Sequence, residues 1–165
     1  MVVVSDTSPL SNLFKINRLA LLREVFGKVV LPEAVFQELL ELQKRGVDIS
    51  EITQANWIEV VAVRDKTLAN SYKQSILDDG ESEAIVLAKE LSADYLIMDE
   101  ALGRKIAEAT GVKIIGLLGV LRDAKKLGLI SEVRPIMDEL RRVARFRISD
   151  SLYSLILTET GELLN

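Results

Sequence analysis

The chain has 165 residues, 48% of them hydrophobic, and a mean hydropathy of +0.21. That suits one domain with a sizeable core and excludes a disordered chain. Cysteine and histidine are both absent and the net charge is -4. These counts exclude disulfides, thiol nucleophiles, imidazole bases and the common zinc, copper and iron sites.

The elements read as follows in chain order. Val2 to Val4 form an apolar β-branched run that ends at Asp6, and continuous apolarity suits a strand buried on both faces. A helical stretch runs from about Leu10 to Phe26, with a break near Lys15 to Asn17. Lys28 to Leu31 predict a second strand. Pro32 follows where a first helical turn tolerates it, and Val35, Leu39 and Leu42 repeat at helical spacing up to Gly46. Trp57 to Val63 predict a third strand, with Trp57 as strand core. A polar helix from Asp65 leads to Asp78-Asp79-Gly80, read as a turn and helix start, and residues 81–92 are strongly helical. Tyr95 to Met98 predict a fourth strand that ends at Asp99. A helix follows from Ala101 to Ala109, then a fifth strand from Lys113 to Ile115. From about Leu117 the chain is mostly helical, with breaks near Gly128 and Pro135, and Met137 to Arg147 reads as merely charge-rich. Strands separated by helices imply a parallel sheet covered on both faces, within a single domain over 1–165. No apolar run reaches membrane-span length and no cationic signal-like flank is present, so a cytoplasmic location with no membrane contact is expected.

Charge is unevenly distributed. Residues 1–100 hold 10 Lys+Arg against 17 Asp+Glu, residues 101–147 hold 11 against 5, and residues 148–165 hold none against 3. An acidic body beside a basic stretch suits metal binding in one part and polyanion binding in the other, although a solvated helical face gives the same counts. Without histidine or cysteine, metal chemistry must use oxygen ligands, which points to Mg²⁺ or Mn²⁺. Acid–base chemistry must use carboxylates, lysines, tyrosines or metal-bound water.

Ligands of open parallel sheets bind beyond the carboxyl ends of the strands. Two predicted strands end in an acid there, at Asp6 and at Asp99-Glu100. Either acid alone also reads as a helix N-cap. Glu38 lies in the helix after the second strand. Glu81 opens the helix before the fourth strand and shares a face with Ala84, Ile85 and Ala88, where a carboxylate is costly unless paired or bound to a cation. A favourable charge at a helix N-terminus also accounts for Glu81. Glu83 points roughly 200° away around that helix. Ser5, Thr7 and Ser8 are candidates for positioning phosphate, or for helix-start hydrogen bonds. Arg104 either clamps phosphate or pairs with Glu100, one turn earlier, and pairing is the expectation. Lys125 and Lys126 are candidate RNA contacts or solvated surface.

In order and spacing the chain resembles the PIN-domain family, in its short prokaryotic branch. The resemblance rests on Val4-Ser5-Asp6-Thr7-Ser8-Pro9-Leu10, Leu31-Pro32-Glu33-Ala34-Val35-Phe36-Gln37-Glu38-Leu39, Asp79-Gly80-Glu81-Ser82-Glu83-Ala84-Ile85 and Leu96-Ile97-Met98-Asp99-Glu100, with Arg104 downstream. Gly116 to Leu121 and Lys125 to Ile130 extend it over nearly the whole chain. It implies a three-layer α/β/α sandwich around a central parallel sheet of about five strands. It also implies a metal-dependent endoribonuclease that cuts single-stranded RNA with three or four carboxylates around Mg²⁺ or Mn²⁺. Asp6, Glu38 and Asp99 carry over directly. The third acid is usually an aspartate opening an Asp-Ala-x-Ile-Ala-Ala-like helix, and here Glu81 and Glu83 occupy that neighbourhood. The resemblance leaves both eligible and periodicity favours Glu81, with Glu83 and Glu100 as secondary metal candidates. A homodimer, and a toxin role with a small antitoxin protein as partner, follow from the resemblance alone.

Two other readings compete. A catalytically inactive RNA-binding or protein-interaction module could use the same scaffold. A phosphoryl-accepting receiver domain lacks the second aspartate expected near Asp6, and no Gly-Lys phosphate loop follows the first strand.

Overall fold

The computed structural model describes residues 1–74 and 76–163. Five parallel strands form one sheet in the order β3-β2-β1-β4-β5. They are β1 (Val3–Ser5), β2 (Val29–Pro32), β3 (Ile58–Val61), β4 (Tyr95–Ile97) and β5 (Ile114–Ile115). Between β1 and β2 lie α1 (Thr7–Lys15) and α2 (Ala20–Phe26). Next come α3 (Glu33–Lys44) and α4 (Ser50–Thr53), then α5 (Lys66–Gln74) and α6 (Asp79–Glu90) after β3. α7 (Ala101–Ala109) links β4 to β5, and α8 (Leu117–Lys126), α9 (Arg134–Arg142) and α10 (Asp150–Glu159) complete the described chain.

Alternate residues of the short strands feed two cores. Val3, Val29, Leu31, Ile97 and Ile115 pack on one side with residues of α1, α2, α3, α8, α9 and α10. Val4, Val30, Leu96 and Met98 pack on the other with residues of α5, α6 and α7. This is the α/β/α sandwich expected from apolar runs without polar alternation. Each fully buried leucine or isoleucine contributes roughly 1.5–3 kcal/mol of transfer free energy.

The order of strands fixes where a ligand can bind. From β1 the chain moves outward through β2 and β3, then returns to the other side of β1 for β4 and β5. The order reverses between β1 and β4, and the carboxyl ends of those strands splay helices to opposite faces and leave a crevice. Their register pairs Val3 with Tyr95, Val4 with Leu96 and Ser5 with Ile97. Asp6 and Asp99 therefore leave adjacent strands on one edge, and the Asp6 amide donates to the Ile97 carbonyl at 3.0 Å.

Several boundaries differ from the sequence reading. The first helix starts at Thr7 rather than Leu10, and Asn17 turns the chain at φ 55° before α2. Trp57 precedes the edge strand β3, half-buried against the core, and its carbonyl accepts from the Val29 amide. Pro135 does not break a helix. It stands in the first turn of α9, where its missing N–H is no loss. The four-residue α4 carries no strong periodicity and was not anticipated.

Candidate active site

A cleft of about 1060 Å³ opens over the carboxyl ends of β1 and β4. Asp6, Glu38, Glu81 and Asp99 all line it, each delivered by a different element. Asp6 follows β1 and is 4% exposed. It stands at the N-cap position of α1 without a side-chain capping hydrogen bond. Asp99 follows β4. Its Oδ1 accepts from the Leu117 amide at 2.8 Å and so anchors the start of α8. Its Oδ2 is buried without a hydrogen-bond partner.

Glu38 is held from two sides. Its Oε1 accepts from the Gly80 amide at 3.0 Å and its Oε2 accepts from the Thr7 hydroxyl. A Cβ on Gly80 would lie 2.7 Å from Glu38 Oε1, so a side chain there would push the Glu38 carboxylate from this position. Glu81, 8% exposed, completes a capping box. Its amide donates to Asp78 Oδ1 at 2.7 Å and its Oε2 accepts from the Asp78 amide at 3.1 Å. Glu81 thus caps α6 and also lines the cleft. Asp78 lines it too, which the sequence reading missed by treating Asp78 as a turn residue. The capping spacing Asp-x-x-Glu was the available signal.

Burial raises Asp6 from 3.8 to about 7. The Thr7 amide opposes that rise, and the charges of Asp78, Glu81 and Glu38 add to it. Glu38 and Glu81 are also raised, chiefly by burial, each partly offset by its hydrogen-bond donors. Burial raises Asp99 against the pull of the Leu117 amide and the Arg104 guanidinium. Carboxyls shifted upward together are short of compensating positive charge.

That shortage, the unpartnered Asp99 Oδ2 and an all-oxygen donor set fit a hard divalent cation. Among the described residues no three acids converge closely enough to form a ready-made metal cage. An ion held by one or two carboxylates with water and substrate oxygens does not need one.

The secondary candidates separate. Glu100 lines the cleft, whereas Glu83 is turned away and its Oε2 accepts from the Ala34 amide at the start of α3. Thr7 and Ser8 line the cleft. Ser5 does not: it is fully buried and its hydroxyl donates to the Asp6 carbonyl. Arg104 lines the cleft without the expected ion pair to Glu100. Its Nη1 donates to the Met98 carbonyl at 3.0 Å, which draws the guanidinium toward Asp99. Lys125 lies outside the cleft, with Nζ 2.7 Å from Glu162 Oε1, and Lys126 is exposed elsewhere. Arg145 and Arg147, passed over as charge-rich sequence, line the cleft.

A parallel α/β sandwich with carboxylates gathered at its topological switch point defines a class of open-sheet proteins whose ligands bind at that crevice. The DUF3368 family model, described as a PIN domain, matches residues 2–162. The chain belongs to the PIN-domain family, whose members are generally nucleases and generally use divalent metals. Among solved structures it is similar to a PilT N-terminus domain protein from the hyperthermophilic archaeon Sulfolobus solfataricus P2. The two are 26% identical with a TM-score of 0.53, over 73% of this chain and 90% of the other. No curated protein matches the chain.

Proposed function

We propose that this protein is an endoribonuclease that hydrolyses phosphodiester bonds of single-stranded RNA with Mg²⁺ or Mn²⁺. The observation that supports this most is the meeting of Asp6, Glu38, Glu81 and Asp99 at the β1–β4 crevice, with Asp99 Oδ2 unpartnered.

Asp6 and Asp99, at the ends of β1 and β4, would hold the ion. Glu38 and Glu81 would orient water beside it, with Thr7 and the Gly80 amide fixing the Glu38 rotamer. When bound, the ion would supply an activated water and charge neutralisation at the scissile phosphate. Arg104, fixed by the Met98 carbonyl, offers its remaining N–H groups to the phosphate. A toxin role would add a small antitoxin protein covering the cleft, and the family resemblance would add a homodimer.

The absence of a ready-made three-carboxylate cage among the described residues favours one second reading, a catalytically inactive RNA-binding module on the same fold. Incubation of labelled single-stranded RNA with Mn²⁺ separates the two. Internal cuts that vanish in chelator and in Asp6→Asn support the nuclease. Binding without cutting supports the module.

A further inference from the structure

The link between α9 and α10 enters the cleft from a part of the fold unrelated to the carboxylates, and its backbone conformation is unusual. Ala144 and Ile148 are buried and Phe146 packs against the core, while Arg145 and Arg147 between them are exposed. The segment is pinned at both ends. The Phe146 amide donates to the Leu140 carbonyl at 2.9 Å and Arg141 Nη2 donates to the Ile148 carbonyl at 2.6 Å. Arg141 is itself set by Asp150 at 3.0 Å and by the Tyr153 ring, 4.3 Å from its guanidinium carbon.

Arg145 has φ 58°, in the left-handed region where glycine is favoured and a side chain is strained. Strain of this kind persists only where the surrounding structure imposes it, here the two pinned ends of the link. The other cleft arginines have partners: Arg122 is held by Glu159 and Asp123, and Arg104 by the Met98 carbonyl. Among the described residues Arg145 and Arg147 have neither an ion pair nor a side-chain hydrogen bond. Together with Lys15, which also lines the cleft with no ion pair among the described residues, they are free cations facing its carboxylates, in a chain whose net charge is -4. A polyanion approaching those carboxylates needs such a counterweight.

We propose that Arg145 and Arg147 form the phosphate grip of this site, holding the backbone of a single-stranded nucleic acid across the cleft so that one phosphodiester lies over the carboxylates. The proposal rests on the nuclease reading for the direction of the strand, but its binding step is tested separately. This link then contributes substrate affinity that Lys125, whose charge is engaged by Glu162, does not.

The test is fluorescence anisotropy of a labelled oligouridine in chelator across a salt titration, joined to cleavage kinetics in Mn²⁺. Arg145→Gly/Arg147→Gln should weaken binding about 10-fold or more and make the log–log salt slope shallower by about 1.4, since each lost phosphate contact removes about 0.7. KM should rise while kcat holds. Arg145→Gly alone should melt no lower than wild type, because glycine relieves the left-handed strain, and should still bind more weakly. A loss of affinity without loss of stability is what a structural role cannot produce. The charge-matched Lys66→Gln/Lys89→Gln protein, altered outside the cleft, should bind as wild type. Unchanged affinity and slope in the arginine variants overturn the grip, whether or not wild type cuts RNA. If wild type binds but never cuts, and the arginine variants still lose affinity, the grip stands and the nuclease reading falls. No binding by wild type overturns the grip.

Discussion

Asp6→Asn isolates the energetic tension at the centre of the site. Burial and three neighbouring acids raise Asp6 from 3.8 to about 7. Ionising it in the folded, metal-free protein therefore opposes folding by roughly 4 kcal/mol at about 1.4 kcal/mol per pH unit. Relaxation and imperfect hydrogen bonding of the new amide reduce the recoverable part to roughly 2 kcal/mol, or about 4–8 °C in a domain of this size. The sign follows from linkage. A carboxyl raised in the folded state stabilises it fully below the unfolded value, and that contribution disappears as pH climbs through about 7. In chelator, Asp6→Asn should melt near wild type at about pH 4, move progressively above it, and reach its full advantage beyond about pH 7. Melting curves at several pH values read this directly. A difference between the two proteins that does not change with pH refutes the reasoning, as does an asparagine variant that is less stable at pH 8.

Other outcomes follow from the same geometry. Millimolar-range Mg²⁺ or Mn²⁺ should stabilise wild type at pH 8 by about 2.7 kcal/mol at 100 times Kd, read as a higher melting temperature, and should do far less for Asp6→Asn. Glu81→Gln keeps the capping box, since glutamine also accepts from the Asp78 amide, so it should fold normally and lose cleavage. Glu83→Gln should keep cleavage and cost at most about 1 kcal/mol of stability by removing charge from the start of α3. If cleavage assays show the reverse, the two assignments must be exchanged. Gly80→Ala places a methyl 2.7 Å from Glu38 Oε1 and should lower metal-dependent cleavage at least about 10-fold with helix content retained by circular dichroism. Lys125→Glu should lower the melting temperature by setting two carboxylates together at the Glu162 contact, while RNA affinity measured by anisotropy changes little.

Much of this architecture was legible because the central strands β1 and β2 are buried on both faces. Val2 to Val4 and Tyr95 to Met98 have little choice but a central parallel sheet, and the acids that end them mark the edge where the cleft opens. The choice of Glu81 over Glu83 for the cleft was legible too, because helical periodicity separates their faces. Contacts between distant segments were not. Nothing local says that Arg104 turns to the Met98 carbonyl rather than to Glu100, or that Lys125 meets Glu162 across 37 positions. The link from Ala144 to Arg147 reads as charged surface until the fold carries it to the rim of the cleft, where its arginines flank an anchoring phenylalanine. Trp57 looked like strand core because aromatic residues favour strands, but β3 lies at the sheet edge and begins one residue later.

The central claim is that carboxylates at the β1–β4 switch point bind the ion that cuts RNA. Its most direct test is single-turnover cleavage of end-labelled single-stranded RNA by wild type and Asp99→Asn, followed as Mn²⁺ is titrated. The account predicts internal cleavage by wild type that rises and saturates with Mn²⁺, and no product from Asp99→Asn at any concentration. Product formed without metal, or undiminished in Asp99→Asn at saturating metal, contradicts it.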